Sequence, residues 1–241
     1  MIVISYGIPK SGTTLAFEMA KAIVELDGSP QVRLDDTLLG QSEHDINFVQ
    51  DWTDERLGRL LEATRGGWVV IKTHGTSDDL STVAVLDAIA ARELKVHVVF
   101  RDPRDTLISM VDHGVRARQE DGPGFATIGG LDDALARLAA HMPRLRRWGW
   151  FPSLKLAYED FAFDRSAGPR LIGQDLGVMI DPQRVWDMVE DRFTQRNVAR
   201  PARYRDELWP DEITRIEAAF PLFLDLVRGK PHVGWFVDTV G

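Results

Sequence analysis

Val3-Ile4-Ser5-Tyr6-Gly7-Ile8-Pro9-Lys10-Ser11-Gly12-Thr13-Thr14 is the stretch that decides the fold. Its apolar opening is too short for anything but a buried strand, and a turn punctuated by Gly and Pro follows. From Thr13 onward Leu15, Ala16, Met19, Ala20 and Ile23 recur at helical spacing. Strand, loop and helix start together form an anion cradle. Backbone N–H groups of the loop and of the first helical turn point at one spot, and the helix dipole adds partial positive charge there. Gly7 and Gly12 have the spacing of the two glycines of a nucleotide-triphosphate loop, but Thr13-Thr14 stands where that motif has Lys-Ser/Thr. The lysine lies inside the loop instead, as Lys10. The plain alternative is a helix N-terminus behind a glycine turn, with no ligand.

Working outward, a helix over 13–26 ends in a turn at 27–30, and 31–34 reads as a short strand running into a solvated acidic pair, Asp35-Asp36. Residues 40–52 are irregular and polar, whereas 54–64 place Leu57, Leu60 and Leu61 on one helical face. Trp68-Val69-Val70-Ile71-Lys72-Thr73-His74-Gly75 is a β-branched run of the kind buried on both faces of a parallel sheet, with Lys72 and His74 at its carboxyl end. An amphipathic helix over 82–92 (Val83, Leu86, Ala90) and a third strand over 95–100 repeat the order strand, helix, strand. Arg101-Asp102-Pro103-Arg104-Asp105 opens a helix to about residue 118, with Asp102 as N-cap and Pro103 at its first position. The glycine-rich 119–130 reads as a lid or as a plain linker.

Beyond it, 131–148 is helical, with Leu135, Leu138, Ala139, Met142 and Leu145 on one side. Its basic end, Arg144, Arg146 and Arg147, suits the helix dipole. Trp148 and Trp150 read as core or interface residues, not stacking platforms. A short strand over 154–158 ends in Tyr158, a helix over 164–177 carries a break at Gly168-Pro169, and 182–192 and 211–228 are helical. The expected fold is therefore α/β, a central parallel sheet flanked by helices in a P-loop-like nucleotide-binding architecture, as a single domain over residues 1–241.

Composition bounds the function. The chain has 241 residues, no cysteine and a formal net charge of −8. No thiol nucleophile or zinc–thiolate site is possible. Nucleic acid and other extended polyanions are disfavoured as partners, because binding them needs a surplus of basic surface. No apolar run is long enough to span a bilayer and no basic, cleavable leader precedes the first strand, so a soluble, cytoplasmic protein without membrane partners is expected.

Pro9-Lys10-Ser11-Gly12-Thr13-Thr14 resembles the 5′-phosphosulfate loop of sulfotransferases that use 3′-phosphoadenosine-5′-phosphosulfate (PAPS). Three later segments resemble that family in the same order. Lys72-Thr73-His74 resembles its lysine and catalytic histidine, Arg101 with Ser109 resembles the pair that grips the 3′-phosphate, and Tyr158-Glu159-Asp160 resembles a segment whose tyrosine approaches adenine. The resemblance implies PAPS as donor, no metal, and a small-molecule acceptor with a hydroxyl or amine. It places Lys10, Ser11, Gly12, Thr13, Thr14, Arg101, Ser109, Tyr158 and Arg196 on the nucleotide, and His74, Lys10 and Lys72 at the chemistry. Two departures stand out. Leu15 occupies a place where many relatives stack a tryptophan on adenine, so Phe17 or Tyr158 has to substitute. The late Arg-Lys-Gly phosphate loop is missing, and Arg196, Arg200 and Arg203 are the candidates for its work, with Arg196 the one assigned.

Physical chemistry reaches the same crevice independently. Ligands of open α/β sheets bind outside the carboxyl ends of the strands, which is where the loop, Lys72, His74 and Arg101 fall. Sulfuryl transfer needs a donor anchor, charge neutralisation on the leaving phosphate and a base for the acceptor proton. Lys10 and the amides from Ser11 to Thr14 suit the second task, Lys72 assists the leaving oxygen, and a neutral His74 suits the third. Two competing readings are a P-loop kinase or NTPase, with Asp102 holding magnesium at the end of the third strand, and a non-catalytic sensor of adenosine 3′,5′-bisphosphate.

Overall fold

A computed structural model of the chain describes residues 1–40, 46–119, 124–192 and 200–229. Strand β1 (Ile2–Gly7) lies between β2 (Val69–Thr73) and β3 (Leu94–Phe100), and β4 (Leu154–Ala157) borders β3. All pairings are parallel, and Ile4 stands opposite Ile71 on one side and Val96 on the other. In chain order the helices among the described residues are α1 (Thr13–Leu26), α2 (Asp36–Leu39), α3 (Asp54–Ala63), α4 (Thr82–Ala90), α5 (Pro103–Gln119), α6 (Leu131–Trp150), α7 (Tyr158–Ala162), α8 (Ala167–Leu176), α9 (Pro182–Arg192), α10 (Tyr204–Glu207), α11 (Pro210–Ala219) and α12 (Pro221–Val227). None of them is long and apolar enough to cross a membrane.

Strand alternation divides the helices into two layers. Ile2, Ile4 and Tyr6 of β1 enter one core with Val85 of α4, Leu107 and Met110 of α5, Leu138 and Trp148 of α6 and Phe223 of α12. Val3 faces the other core, with Phe17 and Met19 of α1, Phe161 of α7, Ile172 of α8 and Val185 of α9. From β1 the chain leaves toward β2 and from β3 toward β4, in opposite directions along the sheet. The carboxyl ends of β1 and β3 therefore frame a topological switch point, with α1 on one face and α5 and α6 on the other.

Local rules explain most boundaries. Asp102 caps α5 by accepting from the Arg104 amide at 2.9 Å, and its carbonyl accepts the first helical bond from Thr106 at 2.9 Å. Several expectations are corrected. Residues 31–34 form no strand. The Gln31 side chain instead donates to Trp68 O (2.7 Å) and accepts from Val70 N (2.9 Å), closing part of the free β2 edge without a ladder. The acidic pair is not plain loop, since Asp35 caps α2 by accepting from the Thr37 amide. The described part of 40–52 is less irregular than its sequence, because Phe48 bridges Lys72 and Asp51 bridges Thr76.

Helix α4 buries Val85 and Ala88 and leaves Val83 exposed, because a helix apolar on several sides does not fix its own rotation. In α6 the buried set is Ala134, Leu135, Leu138, His141, Leu145 and Trp148, while Ala139 and Trp150 are exposed. The fourth strand stops at Ala157, so Tyr158 opens a helix. Gly168-Pro169 falls in the first turn of α8, where no amide is needed, and causes no break. Pro221, by contrast, starts a new helix and divides 211–228 into α11 and α12.

Gly75 shows how tightly the strand ends are packed. A Cβ there would lie 1.4 Å from Gln50 O, beside the last turn of chain before the site. Gly75→Ala is expected to cost at least about 1–3 kcal/mol, the range of overpacking, read as a lower midpoint in urea unfolding.

Candidate active site

The β1–α1 loop is shaped by two residues with left-handed backbone, Lys10 (φ 74°) and Gly12 (φ 88°). Gly12 is required twice over. Its φ favours glycine, and a Cβ would meet Tyr158 Cδ2 at 2.2 Å. Ser11 is turned into the fold: its amide donates to Ile8 O at 3.1 Å and its hydroxyl to the same carbonyl at 2.6 Å. The Thr13 hydroxyl also reaches Ile8 O, at 3.3 Å. These bonds hold the loop closed, and among its backbone bonds none uses the amides of Gly12, Thr13 or Thr14. That leaves three donors at the start of α1 facing a cavity of about 850 Å³, which Lys10, Gly12, Thr13 and Thr14 line and Ser11 does not.

His74 and Lys72 come to this loop from the end of β2. The Nδ1–H of His74 points at Gly7 O, 2.6 Å away, which fixes the tautomer and leaves Nε2 with its lone pair. Burial, then Lys72, pushes its pKa down to about 3, so the ring is neutral across the physiological range. Lys72 Nζ donates to Thr14 Oγ1 at 2.8 Å, tying the strand end to the first turn of α1. Burial lowers Lys72 to about 8. Lys10, with Nζ 5.6 Å from the centre of the Phe125 ring, is also lowered to about 8, by burial first and then by Arg116 and Lys72. Two desolvated ammonium groups beside free amides form a site whose charge an anion would stabilise.

Arg101 and Ser109 line the same cavity. The Arg101 guanidinium lies 4.6 Å over the Tyr158 ring, hydrogen-bonds Asp105 at 3.4 Å and stands 3.9 Å from Glu159. Its Nε is buried without a hydrogen-bond partner. Glu159, buried first of all, has its pKa raised to about 7, and burial raises Asp105 as well. Arg101 is thus held between carboxylates that resist ionisation, and it keeps hydrogen-bonding capacity unused.

Not every assigned residue arrives. Arg196 lies outside the described residues. Arg203 is 4% exposed and clamps Asp112 (2.8 Å) and Glu207 (2.7 Å), and Arg200 pairs with Asp206 and Glu207, so neither lines the cavity. Phe17 is buried in the core beneath α1. The aromatic walls on that side are Tyr158 and Trp186. Trp186, read only as part of a helix, was missed, as were Phe125, Arg137 and Arg144 on the α6 side. His113 and His141 also line the cavity. One signal for part of this was available: Arg137, His141 and Arg144 recur at i, i+4 and i+7, one stripe of a helix. Arg144 is also not at a helix end, since α6 continues to Trp150 and Arg147 is the basic residue of its last turn.

No protein-family model matches the chain, and no curated protein matches it in sequence. Solved structures do match. A mouse sulfotransferase complexed with PAP superposes with a TM-score of 0.60 at 14% identity, over 95% of this chain and 86% of that one. Retinol dehydratase with androsterone and PAP gives 0.58 at 17% identity, over 92% and 80%. The same protein with retinol and PAP gives 0.56 at 17%, over 92% and 81%. Across such distant sequences the likeness establishes architecture: this chain has the fold of the mouse sulfotransferase and of retinol dehydratase.

Proposed function

We propose that the protein transfers a sulfuryl group from PAPS to a hydroxyl or amine of a small-molecule acceptor. The observation that carries this is His74, neutral, half-buried and aimed by the Gly7 carbonyl, beside a cradle of unpaired amides with two desolvated lysines. The residues present fit a 3′-phosphorylated adenosine nucleotide. The loop amides and Lys10 suit the 5′ end, Tyr158 and Trp186 offer aromatic faces, and the unpartnered Nε of Arg101 suits a second anion. The solved structures of the same fold hold PAP, and two of them also hold a small molecule, androsterone or retinol.

When bound, PAPS supplies a sulfuryl group already activated by its bond to phosphate, and that phosphate departs with the bonding electron pair. The chain's residues do the rest. His74 Nε2 accepts the proton of the attacking hydroxyl or amine, and the Nδ1 bond to Gly7 O keeps the ring from turning as it becomes charged. Lys10, Lys72 and the amides of Gly12, Thr13 and Thr14 hold negative charge on the leaving oxygen. Thr14 keeps Lys72 in place through its hydroxyl. The kinase reading is weakened by Asp102. Its Oδ1 accepts from the Arg104 backbone and side chain at 2.9 Å each and its Oδ2 from the same guanidinium at 2.5 Å, so this aspartate is engaged in capping α5.

Adenosine 3′,5′-bisphosphate is expected to raise the melting temperature in the presence of EDTA. Its affinity should fall roughly tenfold for each lysine, and up to about a hundredfold in all, between pH 7 and 9 as Lys10 and Lys72 lose the protons that the bound anion favours. Thermal shift and calorimetry at several pH values measure both. Stabilisation by magnesium–ATP alone, with no response to the bisphosphate, would overturn the assignment in favour of the kinase.

A further inference from the structure

The cavity has two unlike halves. On the α9 side its walls are Tyr158, Ala162, Trp186 and Val189, and Arg165, which also lines it, is paired with Glu190. On the α6 side stand Arg137, His141 and Arg144 with Phe125 and Gln50. Neither Arg137 nor Arg144 has a carboxylate within ion-pair distance among the described residues. Arg137 lies 5.8 Å from the centre of the Phe125 ring, the same ring that Lys10 approaches at 5.6 Å.

Positive charge gathers along this wall of the cavity. Arg116 and Lys72 repel Lys10 at the cradle, partly offset by Asp112, and Arg137 and Arg144 both act on His141. The chain carries 37 acidic against 29 basic residues, yet among the described residues no carboxylate forms an ion pair with Arg137 or Arg144. His141 points the same way. It is 5% exposed, and its Nδ1 is shut from solvent with no hydrogen-bond partner. Burial, then Arg144 and Arg137, lowers its pKa to about 4, which keeps it uncharged. An apolar side chain would serve the core better than a polar ring with an unsatisfied nitrogen. Folding does not explain the histidine, while Arg137 is exposed and Arg144 half-buried, so water solvates both until an anion enters the cavity.

We propose that the α6 half of the cavity binds the acceptor, and that the acceptor is a hydroxy acid whose carboxylate is held by Arg137 and Arg144. This rests on the sulfotransferase reading above, with the nucleotide on the α9 side and His74 serving the acceptor hydroxyl. The two arginines lie seven residues apart, about 10 Å along the helix axis, a span that two guanidinium stems can close on one carboxylate. His141 stands between them and supplies a neutral hydrogen-bonding group to the acceptor's polar body. Lys10 and Arg137 lie 5.6 and 5.8 Å from the centre of the same Phe125 ring, so cradle and anion site are near enough for a short spacer to separate the hydroxyl from the carboxylate. The cavity volume of about 850 Å³, shared with the nucleotide, favours a small acid over a polyanion.

The test is binding, read by calorimetry on the protein loaded with adenosine 3′,5′-bisphosphate. The probes are 4-hydroxyphenylacetate, 3-hydroxybenzoate and 6-hydroxyhexanoate, each against its own primary amide. At least one acid is expected to bind tenfold or more tightly than its amide. The double variant Arg137→Gln, Arg144→Gln should remove that preference while nucleotide affinity changes less than twofold. The proposal is overturned if no acid is preferred, if the preference survives in the double variant, or if the variant weakens nucleotide binding, which would give these arginines to the donor. If the native protein fails to bind the bisphosphate, the donor reading fails separately. The same acid and amide pairs on the free protein then still decide whether the α6 stripe selects a carboxylate.

Discussion

His74→Ala is expected to lower turnover by about 100 to 10,000-fold, roughly 2.7 to 5.5 kcal/mol in the barrier, while leaving the affinity for adenosine 3′,5′-bisphosphate within about twofold. The split follows from geometry. The histidine touches the loop only through Gly7 O, so its loss removes a base for the acceptor without removing an amide or an ammonium from the anion. Lys10→Ala should damage both quantities, because that ammonium stands in the cradle itself. The pH profile adds an independent check. With its pKa held down to about 3, chiefly by burial, His74 is already neutral at pH 5, so kcat/KM should show no rise between pH 5 and 7 of the kind an ordinary histidine gives. Activity should decline at the alkaline end, where Lys10 and Lys72 lose their charge near pH 8. Steady-state kinetics with a verified acceptor decide it. Near wild-type turnover in His74→Ala would remove His74 as the base, and nucleotide binding without transfer to any acceptor would favour a sensor.

Much of this site was legible in the sequence because it sits where strands end. A short apolar run followed by a Gly-rich turn leaves few options, and Lys72, His74 and Arg101 each follow a β-branched run that a parallel sheet has to bury. The loop's internal bonding was not legible. Ser11 and Thr13 look like anion ligands by type, yet both hydroxyls reach Ile8 O, a choice set by the left-handed turn at Lys10 and Gly12. Positions on long helices were harder still. In α6 the apolar stripe identifies the buried face, but Arg137, His141 and Arg144 lie on the boundary of that face, and only the direction of the neighbouring strands shows that the boundary opens on the cavity. Tyr158 illustrates a boundary effect. Its sequence position reads as a strand end, whereas helix α7 begins there and turns the ring against Gly12 and under Arg101.

Arg101→Ala is expected to weaken binding of adenosine 3′,5′-bisphosphate by about 10 to 150-fold or more, the equivalent of one charge-assisted hydrogen bond of roughly 1.5 to 3 kcal/mol, while adenosine 5′-phosphate should lose far less. The two ligands differ only in the 3′-phosphate, so their difference isolates the contact. Arg101 is prepared for such an anion. Its guanidinium is 7% exposed, stacked on Tyr158 and held loosely by Asp105 at 3.4 Å and Glu159 at 3.9 Å, and Nε has no hydrogen-bond partner. Those carboxylates are weak competitors, because burial raises the pKa of both and Glu159 stands near 7, half protonated at neutral pH. Ser109 lies about two helical turns beyond Arg101 on α5 and lines the same cavity, so Ser109→Ala should cost less than the arginine but show the same preference between ligands. Asp105 also accepts the Tyr204 amide at 3.0 Å, so emptying the arginine site could loosen α10 against α5. Arg101→Lys keeps a positive charge beside Asp105 and serves as the control: it should restore the fold but not the full discrimination, since an ammonium lacks the bidentate fork. Calorimetry with both nucleotides on all three variants measures this directly. Equal losses for the two ligands would mean that Arg101 supports Tyr158 and the helix packing instead of reading a 3′-phosphate.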